Sequence, residues 1–209
     1  MDSSQGYLLV VEDIPDILKL LEATLTFKGH RVVTARNGEE AMDAIERERP
    51  SLVITDILMP KMDGFSLVHR LRIKPETRDI PVVFLSATYV APEDKAFALT
   101  IGVSRFIEKP VAMDKFVPII EKILKQGPYT TTQPINEFEF YDGYRKRLEI
   151  KLNQKNIQIA RDERLLDSLS NEEKPSFQIS LQQAKSEREE IKLLLDQIRE
   201  QLEKFPKAE

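Results

Sequence analysis

Short apolar runs alternate with stretches of helical spacing through the first part of the chain, and that alternation limits the fold more than any single motif does. Residues 7–11, 31–35, 52–56, 81–86 and 104–108 read as strands, being brief, rich in Val, Ile, Leu and Phe, and bounded by turn signals. Between them, Ile17, Leu18, Leu21 and Leu25 recur at helical spacing, as do Ala41, Met42, Ala44 and Ile45, and then Phe65, Leu67, Val68 and Leu71. Residues 93–101 and 113–125 supply two further helices. Pro15 suits a first helical turn, Asn37 a helix cap and Pro81 the start of a strand. Pro118 is expected to distort the first turns of the last helix. Five strands alternating with five helices predict a doubly wound parallel sheet of the flavodoxin-like kind.

In such a sheet, ligands gather outside the carboxyl ends of the strands. Glu12 and Asp13 follow the first strand, Asp56 closes the third, Ser86 the fourth, and Lys109 follows the fifth. Three carboxylates brought together repel one another, so they require a cation or a proton. Hard oxygen donors suit Mg2+, usually beside a phosphate. An ammonium and a hydroxyl aimed at the same place complete a device for phosphoryl transfer, with the aspartate as acceptor.

The sequences Val11-Glu12-Asp13, Asp56-Ile57-Leu58-Met59-Pro60-Lys61-Met62-Asp63-Gly64, Ser86-Ala87 and Lys109-Pro110 resemble the receiver domain of two-component response regulators over about residues 6–126. The resemblance implies that Asp56 takes a phosphoryl group from a phosphohistidine on a sensor histidine kinase or phosphotransfer protein. It implies Mg2+ held directly by Asp13 and Asp56, through water by Glu12, and by the backbone carbonyl of Leu58. Ser86 would be the switch hydroxyl, Lys109 the counter-charge to the phosphate and Phe106 the switch aromatic. Leu58 and Thr88 would flank the path of a hydrolytic water. A haloacid-dehalogenase-like phosphatase also uses an aspartyl nucleophile, but it wants a second aspartate where this chain has Leu58. The chain is therefore expected to be no enzyme beyond its own phosphoryl transfer and autodephosphorylation. His30 and His69 lack a second histidine or an acidic cluster at ligand spacing, so surface or helix-end places are expected for both.

Composition changes after Gly127. Residues 127–135 carry Gly, Pro and Thr and read as a linker between a receiver at 1–126 and a helical region at 136–209. In that region Phe177, Leu181, Ala184, Arg188, Ile191, Leu195, Ile198, Leu202 and Phe205 form a heptad seam. A poorer stripe runs through Tyr141, Leu148, Leu152, Ile159, Leu166 and Leu169, broken by Arg145, Lys155 and Asp162. With a turn at 170–176, the two stripes predict an antiparallel hairpin or coiled coil. Residues 128–209 hold 14 basic and 16 acidic side chains, with no basic stripe, so no nucleic acid is expected as a partner. A homodimer through these helices, or a signal-transmitting role in a histidine-kinase assembly, suits the seam. The chain has no cysteine and no apolar run near the ~20 residues of a membrane span, so a cytoplasmic protein without membrane contact is expected.

Overall fold

A computed structural model describes residues 6–86, 92–127, 136–166 and 174–205. The chain divides into two compact units, Met1–Ile135 and Asn136–Glu209.

In the first unit, β1 (Leu8–Val11), β2 (Val32–Ala35), β3 (Leu52–Asp56), β4 (Val82–Ser86) and β5 (Arg105–Glu108) form one parallel sheet in the order β2-β1-β3-β4-β5. The helices between them are α1 (Pro15–Phe27), α2 (Gly38–Arg47), α3 (Gly64–Ile73), α4 (Pro92–Thr100) and α5 (Met113–Gln126). This is the flavodoxin-like arrangement that the alternating runs predict. Strand side chains alternate in direction. Leu8, Val10, Leu52, Ile54, Val83 and Leu85 pack in one core with Leu18, Leu21 and Leu25 of α1 and Phe116, Val117 and Ile120 of α5. On Phe84 of β4, Phe65 of α3 stacks edge-on with ring centroids 5.0 Å apart. With both faces covered, β1, β3 and β4 are buried at every residue. That is why they read as continuous apolar runs rather than alternating ones.

Caps follow the sequence closely. The Asn37 side chain accepts from the Glu39 and Glu40 amides at the start of α2, and Asp63 does the same for Phe65 and Ser66 at the start of α3. α5 runs from Met113 to Gln126 with Pro118 inside it; the proline ring both removes an amide donor and crowds the carbonyl one turn back, while Phe116, Val117 and Ile120 beside it are buried. One local expectation needs correction. His69 is not at the surface but 3% exposed on the inner side of α3, and burial pulls its pKa down to about 4. Its neighbours Val68 and Leu71 set the buried face, and the helical period carries His69 inward with them.

The second unit consists of α6 (Glu137–Leu166) and α7 (Lys174–Leu202). Cross-helix pairs show that they run antiparallel. Phe138 meets Phe205, Glu149 meets Arg199, Lys155 meets Glu187 and Glu163 meets Lys185, so partners advance along one helix as they retreat along the other. Leu181, Ala184, Ile191, Leu195 and Ile198 of the predicted seam are buried. On α6, the predicted Leu148 and Ile159 are buried, together with Phe140, Tyr144 and Arg147. Lys155, an apparent break in the stripe, reaches Glu187 across the pair at 2.8 Å. No helix among the described residues is long and apolar enough to cross a membrane.

Candidate functional site

Strand register brings the polar ends together. Val11 pairs with Thr55, so Glu12 and Asp56 stand level, one step beyond, at the carboxyl edge of β1 and β3. Between these strands the order of the sheet reverses, which opens a crevice at that edge. On the other side Asp56 pairs with Leu85 and Ser86 with Glu108. The backbone amide of Lys109 donates to the Ser86 carbonyl at 2.7 Å, which fastens the start of the β5–α5 loop to the end of β4.

Glu12, Asp13 and Asp56 can each offer a carboxylate oxygen within 4.8 Å of the others. Glu12 is fully buried, and Asp56 and Ser86 are 7% and 8% exposed. Lys109 reaches in from β5, and its Nζ donates to Glu12 Oε2 and Asp56 Oδ2, each at 2.6 Å. The other Asp56 oxygen, Oδ1, accepts from the Ile57 amide at 2.6 Å. Glu12 Oε1 accepts from the Ile14 amide at 3.3 Å.

Burial, followed by repulsion from Asp56, pushes the Asp13 carboxyl above its usual range. Glu12 is also raised, chiefly by burial and further by Asp56, against the opposing pull of Lys109. Burial alone would lower Lys109, yet its hydrogen bonds to Asp56 and Glu12 prevail and hold it raised. The cluster thus carries more negative charge than one ammonium offsets. Three hard oxygen donors in that condition fit a divalent cation such as Mg2+.

The loop after Asp56 is tightly tied. The Gly64 amide donates to the Ile57 carbonyl at 2.8 Å, and a Cβ at Gly64 would strike the backbone carbonyl of Asp56. Lys61 has a positive φ of 66°, and the Met62 amide bonds across it to the Pro60 carbonyl at 2.8 Å. Leu58 is 39% exposed in this loop. Phe106 is half-buried on β5 and meets Phe84 edge-on, centroids 5.4 Å apart. The structure therefore groups Glu12, Asp13, Asp56 and Lys109, sets Ser86 at the neighbouring strand end, and leaves Phe106 further back along β5. Thr88 lies outside the described residues, as do the linker at 128–135 and Leu169. Sequence reasoning missed the bond from the Gly38 amide to the Met62 carbonyl, 2.9 Å long. Its only sequence signal is the Asn37-Gly38 pair, which reads as an ordinary turn and cap.

A family model described as the response regulator receiver domain matches residues 8–121. The chain is 35% identical over 132 residues to a protein of Porphyra purpurea named "Probable transcriptional regulator ycf27", covering 63% of this chain and 53% of that one. It is 37% identical over 119 residues to an uncharacterized 14.6 kDa protein of Leptolyngbya boryana, covering 57% and 90%. The chain spans about half the length of the ycf27 proteins of Porphyra purpurea and Pyropia yezoensis that it matches. Among solved structures, the signal receiver domain of a signal transduction histidine kinase from Syntrophus aciditrophicus is similar at TM-score 0.54 and 34% identity, covering 63% of this chain and 97% of that one. The receiver domain of NtrX from Brucella abortus is similar at TM-score 0.53 and 31% identity, covering 57% and 99%.

Proposed function

The chain belongs to the response regulator receiver domain family, matched over residues 8–121, and from that premise we propose that Asp56 accepts a phosphoryl group from a phosphohistidine on a sensor histidine kinase or phosphotransfer protein. The observation that carries this reading is the meeting of Glu12, Asp13, Asp56 and Lys109 at the carboxyl ends of β1, β3 and β5.

In the proposed step an Asp56 carboxylate oxygen attacks phosphorus, the bond from phosphorus to the donor imidazole nitrogen breaks, and an acyl phosphate forms. Lys109 Nζ, already on Asp56, is placed to follow the phosphoryl oxygens and neutralise them. Glu12, Asp13, Asp56 and the Leu58 carbonyl would hold Mg2+, with Glu12 acting through water. When bound, that ion supplies charge neutralisation and in-line orientation of the phosphoryl group. Ser86 donates its hydroxyl to a phosphoryl oxygen.

Phosphorylation adds roughly −1.5 to −2 of charge and new acceptor oxygens. Movement of Ser86 toward them opens space that Phe106 fills, so two packings of the β4–β5 region exchange weight. Phe106 already touches the ring of Phe84, which supports such a path.

The tail would read this change through protein contacts rather than DNA. Its mixed charge supports that use, and a second copy of the chain is the simplest partner. Similarity to the receiver of a histidine kinase favours a second reading, in which α6 and α7 serve as a signal transmitter or adaptor within a kinase assembly. The test is incubation with acetyl phosphate and Mg2+ followed by intact mass. Wild type should gain one phosphoryl group and Asp56→Asn none; modification of Asp56→Asn to the same extent would overturn the assignment. Light scattering with and without phosphorylation tests the tail, since an unchanged mass would rule out a phosphorylation-controlled oligomer.

A further inference from the structure

The loop that follows the acceptor is held at two points. Its base is closed by the Gly64 amide on the Ile57 carbonyl, one residue from Asp56. Its far side is held by a different element, because the first residue of α2, Gly38, donates its amide to the Met62 carbonyl at 2.9 Å. Between these ties lie Leu58, Met59, Pro60 and Lys61, with Lys61 in the left-handed region. Lys61 is no glycine, so its conformation costs energy and persists only where the surroundings enforce it.

Gly38 is buried, and a Cβ there would lie 2.7 Å from Met62 Cγ, 2.8 Å from the Met62 carbonyl oxygen and 2.9 Å from Met62 Cβ. Two of those three atoms belong to the backbone or stand next to it, so a rotamer change cannot relieve the overlap. Met62 itself is 6% exposed and has little room to retreat. Asn37 fixes the approach, because its side chain caps α2 through the Glu39 and Glu40 amides while 4% exposed. A side chain at residue 38 would therefore either push the loop away from α2 or lift the start of α2 from the loop. Both outcomes break the Gly38–Met62 bond.

We propose that Gly38 is a positioning residue for the acceptor loop, acting through Met62 to hold residues 58–61 where the cation beside Asp56 is bound. This rests on the reading of Asp56 as a Mg2+-dependent acceptor. The three atoms nearest a Cβ at Gly38 all belong to Met62, so its effect falls on cation affinity more than on the transfer step at saturation.

The test follows Mg2+ binding to the unphosphorylated protein by amide shifts in NMR, and compares it with the Mg2+ dependence of phosphorylation by acetyl phosphate. Gly38→Ala should raise the Mg2+ dissociation constant at least fivefold, with the phosphorylation rate at saturating Mg2+ reduced less than the affinity. The residue-38 amide should also lose protection from hydrogen exchange. Gly29→Ala is the control for a general loss of stability: Gly29 has a φ of +88° and nothing within 4 Å of an added Cβ, so strain there should leave Mg2+ affinity unchanged. Asn37→Ala unseats the start of α2 without adding bulk and should weaken Mg2+ binding by a smaller factor, which keeps the test open if Gly38→Ala does not fold. Wild-type affinity in Gly38→Ala, or in Asn37→Ala where the former does not fold, would overturn the proposal while leaving Asp56 as acceptor. An equal loss of affinity in Gly29→Ala would overturn it too. If wild type neither binds Mg2+ nor takes phosphate, the acceptor reading fails and the proposal with it.

Discussion

Replacing Lys109 with methionine removes the ammonium that bridges Glu12 and Asp56 while keeping much of the side-chain bulk. Both ion pairs are 2.6 Å long, and the side chains are 8% exposed for Lys109, 0% for Glu12 and 10% for Asp56. Removing one partner of a buried pair typically costs about 3–5 kcal/mol, because the remaining charge is left uncompensated. The cost is capped here by proton uptake. Glu12 and Asp13 already hold their protons more tightly than in the unfolded chain, and losing Lys109 raises Glu12 further.

The sign of the pH dependence follows. An acid whose pKa is raised by folding binds more protons in the native state, so its contribution to stability falls as pH rises from the unfolded pKa through the folded one. Lys109 is itself raised, so its charge is constant across this range and the acids set the slope. Lys109→Met should therefore lose about 2–4 kcal/mol near neutral pH without Mg2+, and clearly less near pH 5. Millimolar Mg2+ should restore part of the loss by binding only the folded state. The assay is urea unfolding followed by far-UV circular dichroism, with and without Mg2+, since the chain has no tryptophan. A loss below about 0.5 kcal/mol, within the range of ordinary surface substitutions, would refute the reasoning, and so would one that is the same at both pH values.

Leu58→Asn replaces a 39%-exposed apolar side chain, two residues after the proposed acceptor Asp56, with one able to order water, and should shorten the phosphorylated lifetime; an unchanged rate of phosphate loss would count against a shielding role for Leu58. Leu195→Ala removes a 2%-exposed seam residue and should destabilise the α6–α7 pair by about 2–4 kcal/mol, read as lost helicity with the Mg2+ response of the receiver intact. His69, at a pKa of about 4, should show no titration of its ring resonances in NMR between about pH 5.5 and 8, although a free imidazole titrates near 6.5. Because its pKa is lowered by folding, acidification from 6.5 toward 4 should remove roughly 3 kcal/mol of stability, at 1.36 kcal/mol per unit.

The order of strands and helices and the chemical residues at the strand ends were determined by the sequence alone. Strands buried on both faces read as near-continuous apolar runs, so Leu52, Val53 and Ile54 announced the strand that Asp56 closes, and in such a sheet ligands gather at the carboxyl ends of the strands. The α7 seam was equally plain, because a heptad repeat records a partner even before that partner is known. Four things were decided only by tertiary structure. Register set Glu12 level with Asp56, and the reach of Lys109 across β4 made it the bridge between them. Packing took His69 inside and kept α5 whole through Pro118, because a helix rotates to bury its largest apolar side chains and carries their neighbours along. On α6, Phe140, Tyr144 and Arg147 formed the buried face where the heptad stripe in the sequence looked broken. Aromatic rings and a long cationic side chain bury apolar area in patterns that a count of aliphatic positions does not register. The Gly38–Met62 contact was least legible of all, since a glycine records only the absence of a side chain, and what the missing Cβ would have struck is known only once the fold has brought it near.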